Sequence, residues 1–301
     1  MTADSSRHRQ ATLDARSTLL AQLTAALVHL RGTSVSDSSV HSARKSIKQA
    51  RATLRLMRDA LPARTFRTQN LALRDAARPL NATRDAKVLI DALDRLAKDD
   101  EVETSSIKAL RRMLVSSLDE ARRVVTHGRS GVALARRRLR AAHRRAARWP
   151  ADDDGWPVLR KGLRRTYSRG RRGLSLARAK RSTAHLHEWR KQTKYLWHQL
   201  QFLQPIRRGA IGALAGRTRK LSDYLGDDHD LAVLREQALA NKAAFDDKKA
   251  LRALLAAIDR SREELQTRAL ELGARIYADN ASRFTSRFDR YWRAEAARYR
   301  S

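Results

Sequence analysis

The chain has 301 residues, 42% of them apolar, and sets 64 Lys+Arg against 32 Asp+Glu, a formal net charge of +32. It is long enough to bury a substantial core, but so large a cationic excess repels itself unless a polyanion offsets it. Its 12 glycines and 5 prolines are few and cysteine is absent, so disulfides and thiolate metal sites are excluded and propensity favours helix nearly throughout.

The opening MTADSSRHRQATLDARS lacks the apolar stretch of a signal peptide, and no apolar run nears the roughly eighteen residues of a membrane span. A soluble, cytoplasmic protein without a membrane partner is expected. In chain order, helices are expected near 5–30, 37–60, 63–79, 83–97, 103–127, 132–148, 157–179, 183–204, 208–225, 228–243 and 246–299, the last broken near Gly273 or Asp279.

The second of these carries VHSARKSIKQARATLRLM, residues 40–57. Val40, Ala43, Ile47, Ala50, Leu54 and Met57 alternate at spacings of three and four, the stripe of a core-facing helix, while His41, Arg44, Lys45, Lys48 and Arg51 lie off it. After the third helix comes LNATRDAKVL, in which Asn81 suits a left-handed helix end and Thr83 an N-cap, with Arg84 next to it. GRSG at 128–131 reads as a turn, and seven arginines crowd the helix at 132–148.

WPADDDGWP, 149–157, is the natural division between halves at 1–150 and 151–301. Beyond it, Arg160, Arg164 and Arg171 fall on one helical line and Lys161, Arg165 and Arg172 on its neighbour, without acidic partners at i+4. LHEWRKQTKYLWHQLQFL, 186–203, then places Leu186, Trp189, Thr193, Leu196, Leu200 and Leu203 on an inward stripe and His187, Arg190, Lys191, Lys194 and His198 along another face.

The two basic helices are copies. An offset of 146 pairs His41 with His187, Arg44 with Arg190, Lys45 with Lys191 and Lys48 with Lys194, and superposes both inward stripes; Trp197 stands where the copy of Arg51 belongs. An offset of 145 pairs LNATRDAKVL with LGDDHDLAVL, matching Asn81 to Gly226, Thr83 to Asp228 and Asp85 to Asp230. Each such segment reads as helix, tight turn, helix. An all-α fold follows, built as two antiparallel four-helix-bundle-like repeats related by pseudo-two-fold symmetry, with the two basic faces brought to equivalent positions about a shared groove.

Surface solubility has no reason to reproduce H-x-x-R-K-x-x-K twice, so ligand binding is the preferred role of the repeated faces. Guanidinium groups grip phosphate oxygens in pairs and lysines act as point charges, and His187 to His198 spans 11 residues, about 16 Å, enough for several successive phosphates. His41, His187 and His229 are expected to shape this site, whereas His8, His29, His127 and His143 read as ordinary surface residues. DDHD at 227–230 resembles a metal centre, but the copy has Arg84 where His229 stands, and arginine cannot ligate a divalent cation. No cofactor is expected. Two other functions stay open: non-specific nucleic-acid binding, for which the charge is an equal footprint although no stacking platform or helix-turn-helix is evident, and phosphate chemistry through a histidine, which no carboxylate pair or metal cluster supports.

VHSARKSIKQAR and LHEWRKQTKYLW, with RPLNATRDAKVL, DYLGDDHDLAVL and GLRRTYSRGRRGL, resemble the recurring segments of the CHAD family, the conserved histidine α-helical domain, over about residues 10–300. The resemblance implies a non-catalytic domain that binds inorganic polyphosphate in a basic groove or pore between two four-helix bundles, with association with polyphosphate granules as a further expectation. It carries over His41, Arg44, Lys45, Lys48, Arg51, His187, Arg190, Lys191 and Lys194. Arg84, Arg160, Arg164, Arg165, Arg171, His198, Arg219 and His229 complete the set of candidate contacts. The β-barrel and acidic metal site of the triphosphate tunnel domain often fused to such domains are not found in the sequence.

Overall fold

A computed structural model describes residues 14–32, 35–97, 104–126, 131–149, 155–245 and 248–298. Among the described residues the structure is helical without strands: α1 (Ala15–His29), α2 (Asp37–Leu56), α3 (Ala63–Ala77), α4 (Asn81–Leu96), α5 (Thr104–Thr126), α6 (Gly131–Ala147), α7 (Gly155–Ala179), α8 (Thr183–Leu203), α9 (Arg208–Ala240), α10 (Lys248–Ile276) and α11 (Ala281–Arg298). Short polar side chains start several of them. Asp14, Ser36 and Ser182 each accept from a backbone N–H three residues on, which satisfies a donor with no partner inside the helix.

Both inward stripes are buried as their periodicity requires: Val40 through Met57 on α2 and Leu186 through Leu203 on α8. The large cluster draws on α1, α2, α3, α6, α7, α8, α9, α10 and α11, and its largest fully buried side chains are Trp189, Tyr167, Phe284 and Phe288. A second cluster joins α4 and α5 to the C-terminal part of α9 and the start of α10, through Leu93, Leu110, Leu234, Leu254 and Ile258. α9 supplies Leu221 and Leu225 to the first cluster and Leu231 and Leu234 to the second. It ties the two together.

Two expected helix ends are corrected, and a third is met at Asp279, one of its two expected places. α9 runs unbroken through Gly226, where a turn between 225 and 228 was expected; Leu221, Leu225, Leu231 and Leu234 are all buried, and this packing outweighs the cost of about 1 kcal/mol for glycine inside a helix. Asp228 is accordingly no N-cap: it is 1% exposed, and its Oδ1 accepts from Arg262 Nε at 3.1 Å and Gln266 Nε2 at 2.8 Å, fastening α9 to α10. Asn81 is right-handed (φ −80°, ψ −44°), because a 3-10 turn at Arg78–Leu80 carries α3 into α4 without a left-handed residue. The break in the last helix falls at 277–280. There Tyr167 donates its hydroxyl to the carbonyls of Ile276 (3.1 Å) and Asp279 (3.0 Å), and Asn280 accepts from the Arg283 N–H at 2.9 Å.

α10 passes through Gly273 without breaking, and the Trp189 ring lies against it so closely that a Cβ there would stand 2.5 Å from the ring. Between α7 and α2 the backbones approach closely: a Cβ on Gly162 would fall 1.9 Å from the Leu56 carbonyl oxygen. That contact lets α2, with the basic face it carries, lie close against α7.

Candidate functional site

A cavity of about 640 Å³ opens where α2, α3, α4, α8 and α9 meet. α2 contributes Arg44, Lys48 and Arg51, at i, i+4 and i+7 beside the inward-pointing Ile47; α8 contributes His187 and Arg190; α9 contributes His229 and Asp230. The remaining wall is the run from α3 into α4, with Arg74, Arg78, Asn81 and Asp85, and Val88, Leu89 and Val233 form an apolar floor. Six guanidinium or ammonium groups thus face two carboxylates. The balance favours an anionic occupant.

These cations are held in place. Arg44 is 5% exposed, donates from Nη1 to the Leu80 carbonyl at 2.6 Å and lies 3.6 Å from Asp85 through Nη2, so its guanidinium is locked against the turn between α3 and α4. Arg190 packs over α9 at Gly226, 3.6 Å from where a Cβ would stand. Arg74 is paired with its neighbour Asp75 at 2.9 Å. Arg51 Nε, His187 Nδ1 and His229 Nδ1 are buried and have no hydrogen-bond partner among the described residues. Buried polar groups left so are costly unless something completes them.

The His187 and His229 rings lie 4.6 Å apart, tilted by 49°. Burial holds both imidazoles below the ordinary histidine pKa, and neighbouring charge adds to it: His229 and Arg190 act on His187, and Arg190 acts on His229. Among the protein's own groups the pair therefore favours the neutral form. An oxyanion placed beside them would act in the opposite direction.

The other candidates are placed elsewhere. His41 and Lys45 are exposed on α2 outside the cavity lining, and Lys191 pairs with Glu188 at 2.5 Å. Lys194 is half-buried one turn beyond Arg190. His198, expected on the basic face, is 6% exposed and absent from the lining: Nδ1 donates to Gln201 Oε1 at 3.0 Å, the ring stacks on Trp197 at 4.5 Å, and burial, reinforced by Lys194, Lys48 and Lys45, pushes its pKa down to about 4. On α7, Arg160 is bound to Asp289 (2.9 Å) and Arg165 to Asp59 (2.8 Å), partners distant in sequence that a search at i+4 does not see; Arg164 donates to Ser282 (2.9 Å) and Arg171 is exposed. None of the four lines the cavity. Arg219 lies 3.8 Å from Asp223 and over the Trp197 ring. The side chain of Arg84 lies outside the described residues.

Arg74 and Arg78 were not anticipated. Their signal was present: 74, 78, 81 and 85 fall at i, i+4, i+7 and i+11, one helical line, once the 3-10 turn is seen to continue α3 into α4 rather than end it. Among the described residues no group of three or more His, Asp or Glu is placed to hold a metal ion, and no helix is long and apolar enough to cross a membrane.

Fold and cavity together define a protein that is helical throughout its described residues except for short turns, with a cation-lined cavity formed by both halves of its sequence. The CHAD domain profile matches residues 17–239, most of the chain, and the protein belongs to the CHAD family. No curated protein sequence matches it.

Proposed function

We propose that the protein binds inorganic polyphosphate, without catalysing its turnover, in the cavity shared by its two sequence repeats, which we take to be related by pseudo-two-fold symmetry. The observation that carries this is the meeting of Arg44, Lys48 and Arg51 with His187 and Arg190, residues of two motifs 146 positions apart, and with His229 of the second repeated segment, in one cavity. Cations at this spacing on two walls suit a ligand with closely repeated charges, and the fixed guanidinium groups offer paired hydrogen bonds to phosphate oxygens. Association with polyphosphate granules follows as a consequence of such binding.

Titration of long-chain polyphosphate into the Lys48→Ala, Arg51→Ala, Arg190→Ala triple variant tests the proposal. Three charge-assisted contacts at about 1.5–3 kcal/mol each predict a loss of about a thousandfold or more. The comparison is a triple variant at the exposed Arg140, Arg144 and Arg178, for which only a small, salt-dependent loss is expected. Equal losses would refute the cavity as the site. They would favour the second function that the net charge of +32 supports, diffuse binding of nucleic acid to a basic surface.

A further inference from the structure

The cation line of α2 does not stop at the cavity. Arg44, Lys48 and Arg51 continue at the same spacing to Arg55 and, in the 3-10 turn at Arg58–Ala60, to Arg58. Arg55 is fixed there: its guanidinium lies 4.2 Å from the Tyr195 ring centre and donates to Asn70 Oδ1 at 2.6 Å. Arg51, Arg58 and, from α7, Arg169 surround it closely enough that, after burial and against the favourable Tyr195, their like charges help to bring its pKa down to about 10. The one carboxylate beside Arg58 in sequence, Asp59, is engaged twice by Arg165, at 2.8 and 3.0 Å.

α8 does the reverse. The residues that the 146-residue offset matches to Arg51, Arg55 and Arg58 are Trp197, Gln201 and Gln204, so after Arg190 and Lys194 its line carries no further cation. Trp197 packs on the large core and on His198, and Gln201 accepts from His198. On α9 the 145-residue offset matches Asp223 to Arg78, and that carboxylate lies 3.8 Å from Arg219. Three cations have become neutral and a fourth has become an acid.

Building on the polyphosphate reading, we infer that a chain longer than the cavity leaves it on one side only, along α2 over Arg55, Arg58 and Arg169, and that these residues form an outer phosphate subsite selecting long chains over short ones. A short chain is held by the cavity alone and does not reach them. A long one gains contacts on the α2 side and meets Trp197 and Asp223 on the other.

The test measures affinity for tripolyphosphate and for long-chain polyphosphate in parallel, on the intact protein and two double variants. Arg58→Ala with Arg169→Ala is expected to weaken the long chain by at least about tenfold and to leave tripolyphosphate within about twofold, which also reports an intact cavity. Arg217→Ala with Lys220→Ala, removing two exposed cations from α9, is expected to leave both within about twofold. Equal long-chain losses in the two double variants, no loss in the first, or equal losses for short and long chains in the first would overturn the outer subsite while leaving the cavity standing. Absence of binding of either ligand to the unaltered protein would overturn the subsite and the polyphosphate reading together.

Discussion

Helices α2 and α8 begin their basic faces with the same residues and send matching arginines, Arg44 and Arg190, to the same cavity. From there they part. α2 keeps Lys48 and Arg51 at the cavity wall, whereas α8 turns His198 into a buried pocket against Trp197, eleven residues from a His187 that does reach the cavity. A repeated motif therefore fixes where a side chain leaves its helix, and the packing of neighbouring helices decides whether it meets a ligand or a core.

The largest effect that sharpens this comparison is expected at the support of the α9 wall. Arg262→Ala leaves the carboxylate of Asp228 buried without its ion partner and should cost about 3–5 kcal/mol, read by denaturant unfolding; a cost near zero would mean that Asp228 does not fasten α9 to α10. Next is the support of α2. Gly162→Ala drives a methyl group onto the Leu56 carbonyl and should cost about 3 kcal/mol, with weaker polyphosphate binding as α2 shifts.

The two histidine environments give a subtler contrast. His187 and His229 start below their ordinary pKa, and bound phosphate would raise it, so binding takes up protons and affinity should rise several-fold as pH falls from neutrality, levelling off below the values of the free protein. His187→Asn with His229→Asn should flatten that profile, while His198→Asn should keep it; titrations at a series of pH values decide. By the same linkage the unliganded fold loses stability as pH falls through the ordinary histidine range, because the unfolded chain takes up protons there that the folded one refuses. Smallest is Gly226→Ala. In a continuous α9, with ordinary contact to Arg190, it should stabilise by up to about 1 kcal/mol, whereas a turn at this position would make it destabilising.

Much of this was legible in the sequence. Every residue of both inward stripes is buried, because three-four periodicity reports directly which side of a helix faces the core. Arg44, Lys48, Arg51, His187, Arg190 and His229 were singled out from the repeats and meet in one cavity. What escaped depended on neighbours. The continuity of α9 through Gly226 is decided by leucines packing into two separate clusters, the burial of His198 by the helices laid over it, and the pairing of Arg160 and Arg165 by Asp289 and Asp59, more than a hundred residues away. Helical periodicity shows the faces of one helix and says nothing of its partners.

The most direct test of the central claim is a titration of the protein with long-chain polyphosphate at near-physiological salt, competed by duplex DNA and by RNA. A cavity built for phosphate chains predicts tight polyphosphate binding that an excess of either nucleic acid displaces poorly. Equal displacement by DNA or RNA would contradict it, and would mean that the protein reads negative charge without distinguishing the polymer that bears it.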